Sequence, residues 1–354
     1  MSQIRINNLT NKTGNAGPTI AGVSTVSSSA FMVMPSGDIE IRGAGSGRGV
    51  FAGSYTPSSP NTTNTMNLIQ ISTTGNATDF GDTADAGSHG STSNSTRGVF
   101  NYGDVPNSIV RMDYTIISSI GNVNNFGDLS FVTRDGPFGS GDNTRGILGG
   151  SAGGPSNMGG SPGKGVTFID YITFATTGKS QRYGDLTVAR RGVSSCSSPT
   201  RTVWGGGYIK PQNHTDTVDF ITTQTGGTAI KFGELTQSRG HMGSASSPTR
   251  GAWGGGSIYP GSSYTLYDII DYVTLATLGD AIDFGNLLAA KHFTTATASN
   301  SIRGVWAGSS TDPSTLNVIE YITFASTGNA VDFGDLTTLQ YSGAGASDSH
   351  GGLG

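Results

Sequence analysis

Residues 166–205 read VTFIDYITFATTGKSQRYGDLTVARRGVSSCSSPTRTVWG. Four short segments stand out in this stretch, and their character decides the fold. IDYITFA is built from β-branched and aromatic residues, the side chains that suit a pleated strand. Ile169 and Tyr171 fall on one of its faces, Ile172 and Phe174 on the other. A strand apolar on both faces is covered on both, so it lies between neighbouring sheets and does not face water. TTGK follows, and related stretches carry Thr-Gly-Asn there. Glycine and asparagine accept positive φ, so this step predicts a hairpin into SQRYGDL. ARRGVSSC and RTVWGGG supply two further strands. Sustained apolar spacing at 3.6 residues with capping residues is missing throughout, which predicts almost no helix.

The same pattern recurs along the chain. An Arg-Gly or Arg-Thr step followed by an apolar cluster begins at Arg48, Arg97, Arg145, Arg201, Arg250 and Arg303, at intervals of 49, 48, 56, 49 and 53 residues. After each comes a copy of the hairpin, ending in F-G-D or a variant at Asp82, Asp128, Asp185, Glu234, Asn286 and Asp335. A weaker third segment joins each copy to the next, as in LTVARRGVSSCSSPT and LTQSRGHMGSASSPT. Units of about 50 residues with four strands match the period of kelch-type β-propeller blades. The glycine cluster after each Arg-Gly strand fits close packing of backbones, which only glycine permits.

The expected fold is therefore an all-β, kelch-like β-propeller over residues 18–354. The ends remain to be placed. LTTLQYSGAGASDSHGGLG reads as an innermost strand plus a degenerate second strand, with His350-Gly351 at the Arg-Gly place. SGDIEIR, upstream of Arg48, aligns loosely with the outer strands. Joining the two ends predicts a seventh, composite blade that closes the ring and removes free sheet edges. Six blades with separate tails is the alternative. Residues 1–17 are polar and precede Pro18, and they read as an extended docking arm.

Composition narrows the function. Glycine supplies 56 of 354 residues without recurring at every third position, so collagen is excluded. With 20 basic and 24 acidic residues there is no cationic surplus for nucleic acid. No run of 18 apolar residues suggests a membrane-spanning helix. The polar start lacks the apolar region of a signal peptide, which predicts synthesis in the cytoplasm. Cys196, the single cysteine, rules out an internal disulfide and reads as a small, half-buried residue.

The candidate chemistry is sparse. The six arginines recur in every unit, which marks them as scaffold, and the expected partner of each is an F-G-D carboxylate held in bidentate geometry. Asp79, Asp82, Asp283, Asp332 and Asp335 lack calcium-loop spacing and read as turn caps. The five histidines show no paired metal-ligand spacing, and no nucleophile elbow or P-loop occurs. No catalytic residue, metal or cofactor is predicted. Function is expected on the loops between the second and third strands, which all emerge on one face. Tyr208, Lys210, His214, Tyr259, Tyr264 and Tyr267 bring rings and polar tips there, a composition suited to sugar or protein surfaces.

The repeated wording IDYITFATTG…DFGDLT and TRGVW, with the phrase GPTIAGVSTVSSSAFMVMPSG (17–37), resembles kelch-like repeat proteins of tailed phages of marine bacteria, cyanophages among them. The likeness runs from about Gly17 to Gly354. It implies a non-enzymatic virion structural protein: a fibre, a tail or neck appendage, or a capsid decoration. The arm would meet other virion proteins, and the loops a glycan or protein of the host surface. A homo-oligomer is compatible with that role. A free carbohydrate-binding module is the alternative, and a glycan-degrading enzyme a more distant one. Tyr183 in place of Phe, and Glu234 and Asn286 in place of Asp, depart from the pattern and argue against an essential metal ligand there.

Overall fold

Each Arg-Gly unit becomes one blade, and the chain of blades bends into a closed ring. The computed structural model describes residues 24–25, 32–33, 47–53, 55–58, 61–87, 89–103, 110–131, 137–153, 164–209, 213–261, 263–294 and 296–353. The predicted arm, 1–17, and the SGDIEIR segment lie outside these residues. Residues 24–25 and 32–33 form a small antiparallel ladder of their own. Among the described residues, the other strands form six four-stranded antiparallel sheets, with short two-stranded ladders between some of them. The protein is a six-bladed β-propeller.

Six blades, not seven, is the main correction. The innermost strand of the Arg48 blade is Ala344–Ser347, from the far end of the chain, paired in register with Arg48–Ala52 from Gly49↔Ser347 to Ala52↔Ala344. The composite blade exists, but it is the sixth. Arg48 starts a second strand that needed a first, and the C-terminal segment supplies it. The degenerate second strand expected at His350 does not form. Gly351–Leu353 is instead a buried 3-10 turn.

The apolar core lies between blades. In the blade that follows Ser194, Val203, Val218 and Phe232 pack against Met242, Trp253, Val273 and Leu275 of the next. Trp204, Trp253 and Trp306 are fully buried, and each lies over the glycine that ends the corresponding strand of the preceding blade. A Cβ on Gly205 would lie 2.8 Å from the ring of Trp253, and one on Gly149 would lie 2.9 Å from that of Trp204. The strand-ending glycines are thus seats for a neighbour's indole. Gly205→Val is expected to lower stability by about 1–3 kcal/mol through overpacking, read as an earlier urea midpoint with unchanged slope.

Two further devices repeat around the ring. The F-G-D glycine of one blade touches the turn glycine of the next: a Cβ on Gly184 would collide with Gly227, and one on Gly233 with Gly279. Backbone bonds secure this clasp, with Gly279 N–H donating to Phe232 O at 3.0 Å and Ala281 N–H to Glu234 O at 2.7 Å. The residue after the turn glycine caps the N–H of the F-G-D acid, as Asp280 does for Glu234 at 3.0 Å. The clasp between blades uses only the backbone of that acid position, while the side chains of Asp185 and Glu234 bond within their own blade, to Thr167 and Arg182 and to Lys231, so the clasp tolerates Glu234 and Asn286 there.

The six arginines are scaffold, but not with the expected carboxylate. Arg201 donates to Leu275 O of the next blade at 2.7 Å, and Arg303 closes the ring on Ile71 O at 3.1 Å. Arg48, Arg97, Arg145 and Arg250 reach Ile117, Phe174, Gln224 and Phe324 in the same way. Five of the six guanidiniums also stack on an aromatic ring of their own blade, as Arg303 does on Tyr321 at 4.5 Å. A planar cation can donate from its edge and stack with its face at once, and the carbonyl ending the next blade's third strand is within reach. Tyr183 departs from Phe because its hydroxyl accepts from Arg145 at 2.6 Å and donates to Thr223 O at 2.9 Å.

Candidate functional site: the loop face and its aromatic collar

The innermost strands line the axis, and their Ser and Thr side chains make it polar. A ring of hydroxyls accepts backbone N–H groups from blade to blade: Ser347 N–H to Ser93 Oγ at 3.1 Å, Ser299 to Ser347 at 3.4 Å, Ser246 to Ser299 at 3.3 Å, Ser197 to Ser246 at 3.3 Å and Gly141 to Ser197 at 3.4 Å. A cavity of about 50 Å³ remains among these groups. At the end where these strands finish, the Gly351–Leu353 turn sits across the channel. His350 Nε2–H donates to Ser93 O at 2.7 Å, and Nδ1 accepts from Gly352 N–H at 3.1 Å. Acceptance at Nδ1 requires the neutral ring, and burial lowers its pKa.

The opposite end is the loop face. Second strands finish there, so the loops to the third strands emerge there, as expected. So do the connectors that carry the chain from one blade's outermost strand to the next blade's innermost. Four of these connectors are built alike. Gly192, His241, Phe293 and Ser342 head successive innermost strands at φ 59°, 56°, 53° and 59°. Their backbones bond in sequence: His241 N–H to Gly192 O at 2.8 Å, Phe293 N–H to His241 O at 3.0 Å, Ser342 N–H to Phe293 O at 3.0 Å. These four residues form an arc at the channel mouth.

Aromatic rings gather on this arc. Tyr55 stacks on Tyr341 at 5.4 Å, and Tyr341 meets Phe293 at 5.9 Å. Phe293 contacts His241 at 4.6 Å and His292 at 4.2 Å. Tyr264 packs edge-on to His292 at 4.5 Å and beside Tyr259 at 5.0 Å. Tyr208 and His214 form an adjacent pair at 5.1 Å, with the Arg191 guanidinium 4.9 Å above the Tyr208 ring. Tyr264 is the most open of these rings, with 38% of its surface accessible.

Of the residues singled out in the sequence, Tyr259 and Tyr264 join the collar and Tyr208 and His214 border it. Tyr267 serves the framework: its N–H donates to Gly256 O at 2.9 Å and its carbonyl accepts from Lys291 N–H at 3.0 Å. Lys210 lies outside the described residues. His241, His292, Phe293, Tyr341 and Tyr55 were missed. His241, His292, Phe293 and Tyr341 fall in the weakest repeat segment, where His241 and Phe293 share a backbone angle and not a side chain, and Tyr55 falls in a loop between a second and a third strand.

The collar is uncharged at neutral pH. Desolvation pushes His292 down to about 4, with Asp312 opposing, and pushes His241 down to about 3, with Arg191 adding to the effect. His214 is held at about 4 by the same two causes as His241. Unfolded histidines take up a proton near pH 6.5, while these stay neutral. Acidification from pH 6.5 to 4 therefore protonates the unfolded chain only, and stability falls across that window. Each of the two well-buried rings, His292 and His350, is expected to contribute up to about 1.4 kcal/mol per pH unit. Melting temperatures measured from pH 7 to pH 4 should fall, with a shallower slope in His292→Gln.

Cys196 is buried against Gly251, and its thiol pKa is raised by desolvation, as suits a packing residue. Asp79 and Asp283 accept the N–H of Gly81 and Gly285 at 3.3 and 3.2 Å, the turn-capping role expected. Among the described residues, no group of three or more His, Cys, Asp or Glu is placed to hold a metal ion, and no helix is long and apolar enough to cross a membrane. No family model matches the chain, and no curated protein matches it either.

Proposed function

We propose that this protein is a non-enzymatic structural component of a phage particle, a kelch-like appendage or decoration that presents its loop face to a partner. The observation that carries the reading is the collar: rings from three successive blades meet, with a bordering pair from a fourth, on one face of a scaffold locked blade to blade. Such a scaffold holds recognition residues at fixed spacing, which lowers the entropy cost of binding. The repeat wording supports the phage setting. The arm at 1–17 is proposed to dock the propeller to other virion proteins, which leaves the loop face free for the host surface. The test is quantitative mass spectrometry of purified particles. A copy number fixed by a symmetry axis of the particle supports the proposal, and absence from intact particles removes it.

The Tyr259–Tyr264 pair also favours a second reading, a free carbohydrate-binding module. The two readings part on particle association. A module released during infection would be found in the lysate and not on gradient-purified particles.

A further inference from the structure

The four connector positions at the channel mouth carry more information than a loop-face location. All four adopt left-handed backbone, where glycine sits without strain and a side chain is costly. Gly192 shows that glycine satisfies the position, since its carbonyl accepts the His241 N–H as the carbonyls of His241 and Phe293 accept theirs. The fold would run on glycine throughout. Yet His241 and Phe293 place rings there, and these rings contact each other and the neighbouring aromatics. Strained, aromatic and partly open residues at a rim are positioned for a ligand and not for the fold.

The chemistry of the patch selects the ligand class. Ring faces offer apolar area, while Tyr259, Tyr264 and Tyr341 each carry a hydroxyl that can donate and accept hydrogen bonds. The imidazoles are neutral, and Arg191 is the one cation stacked on a collar or border ring among the described residues. A strongly anionic ligand would find too little compensating charge, and Asp312, the carboxylate that acts on His292 and Tyr264, is a single charge and a weak draw for a cationic one. A sugar ring has the complementary surface: C–H faces for the rings and hydroxyls for the tips.

We infer that the collar binds an uncharged oligosaccharide, with sugar rings lying against Tyr264, Phe293 and His241 at the channel mouth. This rests on the loop face being the recognition surface.

The test uses the full chain and two variants. Phe293→Gly removes a ring and relieves the strained backbone, so its melting temperature should hold or rise. Tyr264→Ala removes the most open ring. The probes are an array of neutral hexose oligosaccharides, a parallel set bearing sulfate or uronate, and calorimetry with the best neutral binder. Binding of neutral glycans, weakened at least about tenfold in both variants while melting temperatures hold, supports the inference. Absence of neutral-glycan binding, selection of the acidic set, or unchanged affinity in the variants overturns it. Labelled protein on host cells separates the two levels. Cell binding lost in the variants with no neutral glycan bound refutes the ligand class and leaves the loop face as the recognition surface. Cell binding unaffected by either variant refutes both.

Discussion

Replacing Arg239 by Ala, with Asp271 left in place, is expected to destabilise the propeller by about 3–5 kcal/mol, because the carboxylate remains buried without its cation. Both side chains are completely buried, and Nη1 lies 3.0 Å from Oδ2. Asp271 belongs to the third strand of one blade, while Arg239 comes from the connector that enters that blade. Thr236, on the same connector, donates both its N–H, at 3.0 Å, and its hydroxyl, at 2.6 Å, to Asp271. Arg239 also donates Nε–H to Gly255 O at 2.9 Å. Removing the arginine therefore strips two anchors and leaves a charge behind. Arg190–Asp219 and Lys291–Glu320 repeat the pair at two other boundaries, fully buried again. At the closing blade the same positions are Gln340 and Asn67, both buried and neutral. The ring thus contains its own control, a boundary without charge at these positions, where Asn67 accepts the Thr337 N–H at 3.0 Å and its hydroxyl at 2.6 Å. The double variant Arg239→Gln/Asp271→Asn should cost clearly less than Arg239→Ala alone. Urea denaturation of the three proteins measures this, and equal losses would contradict the account.

Removing Ala344–Leu353 is the second large effect expected. It takes the innermost strand from the closing blade and with it the ladder to Arg48–Ala52. Ser347, which links the hydroxyl ring between Ser299 and Ser93, is lost with it. So are His350, bonded to Ser93, and Leu353, buried at the end of the channel. The exposed edge of Arg48–Ala52 would then seek another strand, through aggregation or exchange between chains. Loss of a single cooperative melt, and elution as larger species in size-exclusion chromatography, are the expected results. Gly345→Val tests the same closure by one substitution, because its Cβ would collide with the Thr297 backbone of the neighbouring blade. A monomer that melts cooperatively after the truncation would show that closure contributes little.

Much of this architecture was legible in the residues. Tyr, Ile and Phe on both faces of the third strand announced burial between sheets, and Ile169, Ile172 and Phe174 are buried as that pattern requires. The recurring glycines announced close approaches, although the approaching group, a Trp of the next blade or the turn of the next hairpin, was not readable. The number of blades was misread because the Arg48 unit was counted as complete, so the innermost strand read in the C-terminal segment was given a blade of its own instead of being paired with Arg48–Ala52. The arginine partner was misread for a similar reason. A side chain shows what it can donate, whereas the carbonyl that accepts is present at every residue and is chosen by geometry.

The sequence by itself determined an all-strand repeat of about 50 residues, its turns, the buried faces and the side of the ring on which the loops gather. Local propensity and side-chain alternation carry these properties, and both are written in neighbouring residues. The tertiary structure alone decided that six blades close the circle, that the arginines bolt each blade to the next through carbonyls, and that His241, Phe293 and Tyr341 meet at the channel mouth. Those outcomes depend on how many wedges fill a full turn and on which backbones then come within bonding distance. Residues far apart in the chain acquire that relation only when the ring shuts.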